Sequence, residues 1–120
     1  MELPQVLHRE VTDDSAHVEL DIRSDLGWFA GHFPGHPILP GVVQLAWAVH
    51  FSSEIFGCGS EVRAIEQLKF KRPIGPGRRV TLRLTRRAAD AAVGFEYRDA
   101  HTSFSSGNLK FNSATLSQPA

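Results

Sequence analysis

Residues 42–56, VVQLAWAVHFSSEIF, contain neither Pro nor Gly and are apolar nearly all round. A surface helix shows one apolar stripe, so a segment of this kind predicts a helix buried in an interior. Pro40 stands near the first turn, where its missing N–H costs nothing. Gly57 and Gly59 supply the stop. Whatever the fold is, it is built around this one helix.

Working outward, the neighbouring segments have a period of two. Residues 17–23, HVELDIR, place Val18, Leu20 and Ile22 on one face and His17, Glu19, Asp21 and Arg23 on the other, the mark of a half-buried strand. A shorter strand is expected near residues 6–11. Residues 24–41 hold four Gly and three Pro, too many for regular structure. After the helix, residues 64–73 carry Ile65, Leu68 and Phe70 with a break in alternation that suggests a bulge. IGPG, residues 74–77, reads as a turn. Val80, Leu82 and Leu84 alternate with Thr81, Arg83 and Thr85; Val93, Phe95 and Tyr97 repeat the pattern; residues 103–116 form a last long strand with a kink expected at Gly107 and Asn108. The predicted class is α+β: an antiparallel sheet of about five strands wrapped around one long central helix, the arrangement called a hotdog.

Composition narrows the function. At 120 residues the chain is expected to be one domain, residues 1–120. Folding at this size hides about two-thirds of the unfolded surface, so dimerisation would help. The formal net charge is zero, which argues against a general nucleic-acid binder or membrane-surface protein. No run of apolar residues is long enough to span a bilayer. The opening residues MELPQVLHREV lack the basic start and apolar stretch of a signal peptide. One cysteine, Cys58, cannot form an internal disulfide, and a cytoplasmic location is expected. No motif frames Cys58 as a nucleophile.

The chemistry concentrates in residues 31–41, GHFPGHPILPG. Pro34, Pro37 and Pro40 stiffen the chain, and Gly35 and Gly41 permit tight paths. A rigid loop can hold the His32 imidazole within reach of a substrate proton. The helix beginning near Gly41 offers free N–H groups and a positive dipole end, which stabilise an enolate-like oxygen. A base and an oxyanion donor are the minimum for removing a proton beside a thioester carbonyl. On the residues alone, a structural loop histidine and prolines that merely order a connection stay open. His32 and His36 are four apart, but Phe33-Pro34-Gly35 between them cannot be helical and no third ligand is near, which argues against a metal. Trp47 fits a core or dimer-interface role, and Trp28 and Phe29 fit either core packing or the wall of an acyl tunnel.

GHFPGHPILPG closely resembles the signature of the hotdog-fold 3-hydroxyacyl-[acyl-carrier-protein] dehydratases of fatty acid synthesis. IEQLKFKRPIGP, residues 65–76, is similar to the strand and turn that follow the helix there. PILPGVVQLAWA is closer to the smaller branch associated with aryl polyene and related pigment synthesis. The resemblance covers roughly residues 15–116. It implies dehydration of a (3R)-3-hydroxyacyl thioester to the trans-2-enoyl thioester, with no metal or organic cofactor and with an active site at a dimer interface. His32 would take the C2 proton and Gly41 would donate its N–H to the thioester oxygen, with Phe33, His36, Pro40 and Val42 lining the substrate. The family carries a Glu or Asp fourteen residues after the histidine to help the hydroxyl leave, and that position here is Ala46. His50, one helical turn on, falls on a similar face and is the candidate substitute acid; Gln44 is expected to point elsewhere.

The basic cluster Lys69, Lys71, Arg72, Arg78 and Arg79 reads either as a solvated face or as a dock for acidic acyl carrier protein with its phosphopantetheine-linked chain. Arg86 and Arg87 are expected to extend it. The other expected partner is a second copy of the chain or, in a heterodimer, a second dehydratase. Two further readings stay open: a hotdog thioesterase, which HFPG disfavours, and a non-catalytic acyl-binding or partner subunit.

Overall fold

The computed structural model describes residues 1–29, 35, 37–59 and 61–112. Six strands and one helix follow in the order β1 (Gln5–Val11), β2 (Ser15–Ile22), α1 (Gly41–Phe56), β3 (Val62–Phe70), β4 (Arg78–Arg87), β5 (Ala92–Arg98) and β6 (Ser103–Phe111), with short 3-10 turns at Gly27–Phe29 and Ala88–Asp90. All strands pair antiparallel in one sheet of order β1-β2-β4-β5-β6-β3. The hotdog expectation holds, with six strands where the pattern suggested about five.

The three central strands form because their alternation is strict and one face is dry. Val18 pairs with Leu82, which pairs with Tyr97; Ala16 pairs with Leu84, which pairs with Phe95. These side chains are all buried and receive α1 through Trp47, Ala48 and Phe51. Each large apolar side chain buried this way stabilises by about 1.5–3 kcal/mol. The helix ends where expected: Gly57 takes a left-handed φ of 73° and its N–H donates to the Ser53 carbonyl at 2.9 Å.

Two expectations are corrected. The helix is not buried all round in the single chain: Val43, Gln44, Trp47, Ala48, Phe51, Ser52 and Phe56 face the sheet, while Val42 is 74% exposed and Leu45, Ala46, Val49 and His50 are only half-buried. Its apolar outward face therefore lacks cover among the described residues. The irregularity expected at Gly107 and Asn108 lies instead on the facing strand. There Gln67 adopts φ 53° and the β3–β6 register shifts between Glu66 and Lys69, while β6 keeps regular register with β5 through Gly107 and Asn108. Two β3 residues oppose one on β6, which is a bulge and the source of the broken alternation. The final strand is described only as far as Phe111, and residues 113–116 of the expected strand lie outside the described residues.

The N-terminal segment is strapped across the helix. The Glu2 carbonyl accepts hydrogen bonds from Trp28 Nε1 at 2.9 Å and Trp47 Nε1 at 3.0 Å, one for each lone pair. The Glu2 carboxylate accepts from the Gly27 N–H at 2.6 Å. Trp28 and Phe29 thus pack with the core at the approach to the histidine-bearing loop.

Candidate active site

Pro40 is the N-cap of α1, with φ −59° and ψ 144°, and no side chain among the described residues caps this end. The Pro40 carbonyl accepts from the N–H groups of Val43 and Gln44 at 3.1 and 3.2 Å. Gly41 is the first helical residue, so its N–H belongs to the set that has no intrahelical acceptor. Glycine lets the Phe70 ring close over the helix start: a Cβ on Gly41 would lie 2.7 Å from the tip of that ring, which would have to move.

A cleft of about 590 Å³ opens beside this residue, within the usual range for small-molecule sites. Its wall is apolar: Ile38, Leu39, Val42, Leu45, Leu68 and Phe70, with Lys71 and Arg72 also lining it. Gly41 and Val42 therefore share one cleft, and Pro40 caps the helix that forms its side. His32, Phe33 and His36 lie outside the described residues. Sequence reading missed Leu45, Leu68 and Phe70 as cleft walls. Leu68 and Phe70 were visible as apolar points of a strand, but their exposure (39% and 51%) depends on β3 being a sheet edge.

Ala46 lies on the outward face of α1, half-buried, and brings no polar atom. His50 follows one turn later. Its Nε2 is 3.2 Å from Glu54 Oε2, and Glu54 Oε1 pairs with Arg9 Nη2 from β1 at 2.5 Å. The Arg9 guanidinium in turn sits 5.6 Å from the centre of the Phe51 ring. His50 is thus engaged with a carboxylate on its own helix. Gln44 points the other way, into the sheet, where it is 3% exposed.

The basic residues separate into groups. Lys71 and Arg72 follow β3 and line the apolar cleft, and Lys71 Nζ donates to Ser103 Oγ at 3.3 Å. Lys69 lines a second, polar depression on the sheet, with Arg83 and Arg87. Arg78 is matched by Asp99 at 3.4 Å and lies over the Phe104 ring, while Arg79 stands opposite Asp21. Backbone N–H groups of His101 and Thr102 hold the Asp99 carboxyl below its ordinary range, with Arg78 adding to the effect. Lys69, Lys71 and Arg72 have no ion-pair partner among the described residues. Arg86 and Arg87 stand at the far end of β4, about 24 Å from Arg79 at the usual strand rise, and pair with Asp14 and Asp90, although Arg87 reaches the depression that Lys69 lines. Cys58 is buried, and burial pushes its thiol up to about 11, against a smaller opposing effect of Arg86.

Comparison with known proteins agrees with this fold. Over 91% of its length the chain superposes on a protein of the dehydratase heterocomplex ApeI:P from Xenorhabdus doucetiae, covering 97% of that chain at a TM-score of 0.84 and 33% identity. An uncharacterized protein from Erwinia carotovora subsp. atroseptica matches over 92% of this chain and 97% of its own, with a TM-score of 0.78 and 38% identity. Among curated proteins, the 3-hydroxyacyl-[acyl-carrier-protein] dehydratase FabZ of Wolbachia sp. subsp. Drosophila simulans is 41% identical over 58 residues, 42% of this chain and 40% of that protein. The chain spans about half the length of the curated relatives it matches. The ApeI-like family model, described as ApeI dehydratase, matches residues 8–108. With a hotdog fold, an apolar cleft beside the helix start, and a match over most of its length, the chain belongs to the ApeI-like dehydratase family.

Proposed function

We propose that this chain binds a (3R)-3-hydroxyacyl thioester carried on an acyl carrier protein and takes part in its dehydration to the trans-2-enoyl thioester. The observation that carries the reading is the cleft itself: Gly41, at the helix start and with no N–H acceptor among the described residues, lines an apolar space of about 590 Å³ that Lys71 and Arg72 also line. An acyl chain fits the wall, a thioester oxygen fits the helix start, and the cations suit an acidic carrier. Lys69 joins them, while Arg78 and Arg79 are already opposite Asp99 and Asp21. His32 is the base in this reading. It takes the C2 proton, negative charge gathers on the thioester oxygen at Gly41, and the 3-hydroxyl leaves as water on receiving a proton.

The donor of that proton distinguishes two forms of the proposal. In the first, His50 supplies it, held by Glu54. In the second, this chain is an acyl-binding subunit whose partner dehydratase carries the acid. Ala46 favours the second, as does the heterocomplex to which a relative belongs. Either form needs a second subunit, identical or not. It would cover the outward face of α1 and the free edge of β3, where Ile65, Leu68 and Phe70 stand 40, 39 and 51% exposed.

Incubating the chain with 3-hydroxyoctanoyl carrier protein and following loss of water by mass spectrometry tests both. Turnover by the chain alone that disappears in His32→Ala supports the first form. Turnover only in a mixture with a co-purifying dehydratase supports the second. If wild type and His32→Ala are equally inert alone and in that mixture, the dehydration reading is wrong.

A further inference from the structure

Gln44 is an unexpected residue for its place. It sits on the sheet-facing stripe of α1 between Val43 and Trp47, where an apolar side chain would pack without need of partners. A buried amide is costly unless its polar atoms are satisfied. Here both ends are. Gln44 Nε2 donates to the Leu39 carbonyl at 3.1 Å, and Gln44 Oε1 accepts from Ser105 Oγ on β6 at 2.7 Å. The Gln44 backbone carbonyl accepts from the Tyr97 hydroxyl on β5 at 2.6 Å. Burial pushes the Tyr97 phenol upward, so it remains a donor. The Leu39 N–H is held by the Ile74 carbonyl at 2.8 Å.

The target of this network is one torsion. The Pro40 ring fixes φ at −59°, leaving ψ of Pro40, at 144°, to set the direction of the Gly41 N–H. Gln44 grips both sides of that torsion. Its backbone N–H donates to the Pro40 carbonyl, which shares a peptide plane with the Gly41 N–H, and its side chain holds the preceding Leu39 carbonyl. Ser105 and Tyr97 anchor Gln44 to β6 and β5, so the aim of the Gly41 N–H is referred to two strands of the sheet.

From this geometry we infer that Gln44, anchored by Ser105 and Tyr97, is a positioning residue that aims the Gly41 N–H at the thioester oxygen. The inference rests on the proposed role of Gly41 as oxyanion donor. It concerns a residue that borders the cleft but acts through the backbone of residues 39–41.

The test reads the hydrogen bond at the substrate carbonyl and needs no turnover. S-(trans-2-octenoyl)pantetheine with an isotope-labelled carbonyl is bound to the full chain, and difference infrared spectroscopy gives the carbonyl frequency of the bound form. Wild type is expected to lower that frequency relative to free ligand. Gln44→Met, of similar volume, should lose at least half of the displacement in the bound population. Ser105→Ala should lose a smaller part and Ser105→Thr, which keeps the hydroxyl, should restore it. A purely structural role would lower the melting temperature and the fraction bound without moving the bound carbonyl. The Ser105 pair keeps the inference testable if Gln44→Met does not fold. A normal displacement in wild type that Ser105→Ala and Gln44→Met leave unchanged overturns the inference alone. No displacement in wild type overturns the oxyanion role of Gly41 and this inference with it.

Discussion

The two faces of α1 have divided their duties. The sheet-facing stripe is complete: Val43, Trp47, Ala48 and Phe51 are buried, and Gln44 is bonded at both ends. The outward face is unfinished. Val42 is exposed, Ala46 presents a methyl where the family keeps a carboxylate, and His50 is turned to Glu54. One face is packed against the sheet and the other is left partly uncovered by the described residues. The proposed site sits at the junction of the two, where Gly41 is held from the finished side and lines the cleft beside the unfinished one.

The sharpest way to test this division is to fill the gap. Ala46→Asp should raise dehydration of 3-hydroxyoctanoyl carrier protein about a hundred- to ten-thousandfold, the usual contribution of a general acid, with stability changed by less than about 0.5 kcal/mol. An unchanged rate, measured by mass spectrometry, would mean that position 46 is not where the hydroxyl leaves. On the other face, Trp47→Ala should cost about 3–5 kcal/mol in urea unfolding through the lost aromatic volume, together with its bond to Glu2. A cost near that of a surface substitution would undo the comparison. At the free edge of β3, Ile65→Lys should shift sedimentation toward the single chain while altering that chain's own stability by less than about 0.5 kcal/mol. The smallest effect concerns Cys58, which belongs to the buried side. Its folded-state value of about 11 lies above the ordinary 9.0, so its contribution is full below pH 9.0 and fades as pH rises toward 11. Below that window alkylation should follow unfolding, read by mass spectrometry across a urea series; rapid labelling of folded protein would place the thiol at the surface.

What could be read in advance followed physical locality. β2, β4 and β5 were legible because a strand with one dry face must alternate, and Val18, Leu82 and Phe95 obey. The bulge in β3 was legible for the same reason, as a failure of alternation. The outward half of α1 misled: an apolar face reads the same whether this chain or another covers it. The Gln44 network was invisible, since Ser105 and Tyr97 lie 61 and 53 residues away and no local pattern marks a pairing at that range. The vacancy at Ala46 needed only counting, once the motif had set the origin.

The Glu2 carbonyl has an optical consequence. It is the shared acceptor for both indole donors, and Trp28 and Trp47 are the only tryptophans in the chain. Lifting the first residues off the helix would change the surroundings of every strong fluorophore at once, before any strand is lost. Emission colour and far-ultraviolet dichroism should therefore separate on gentle heating, the first reporting release of the strap and the second reporting the sheet.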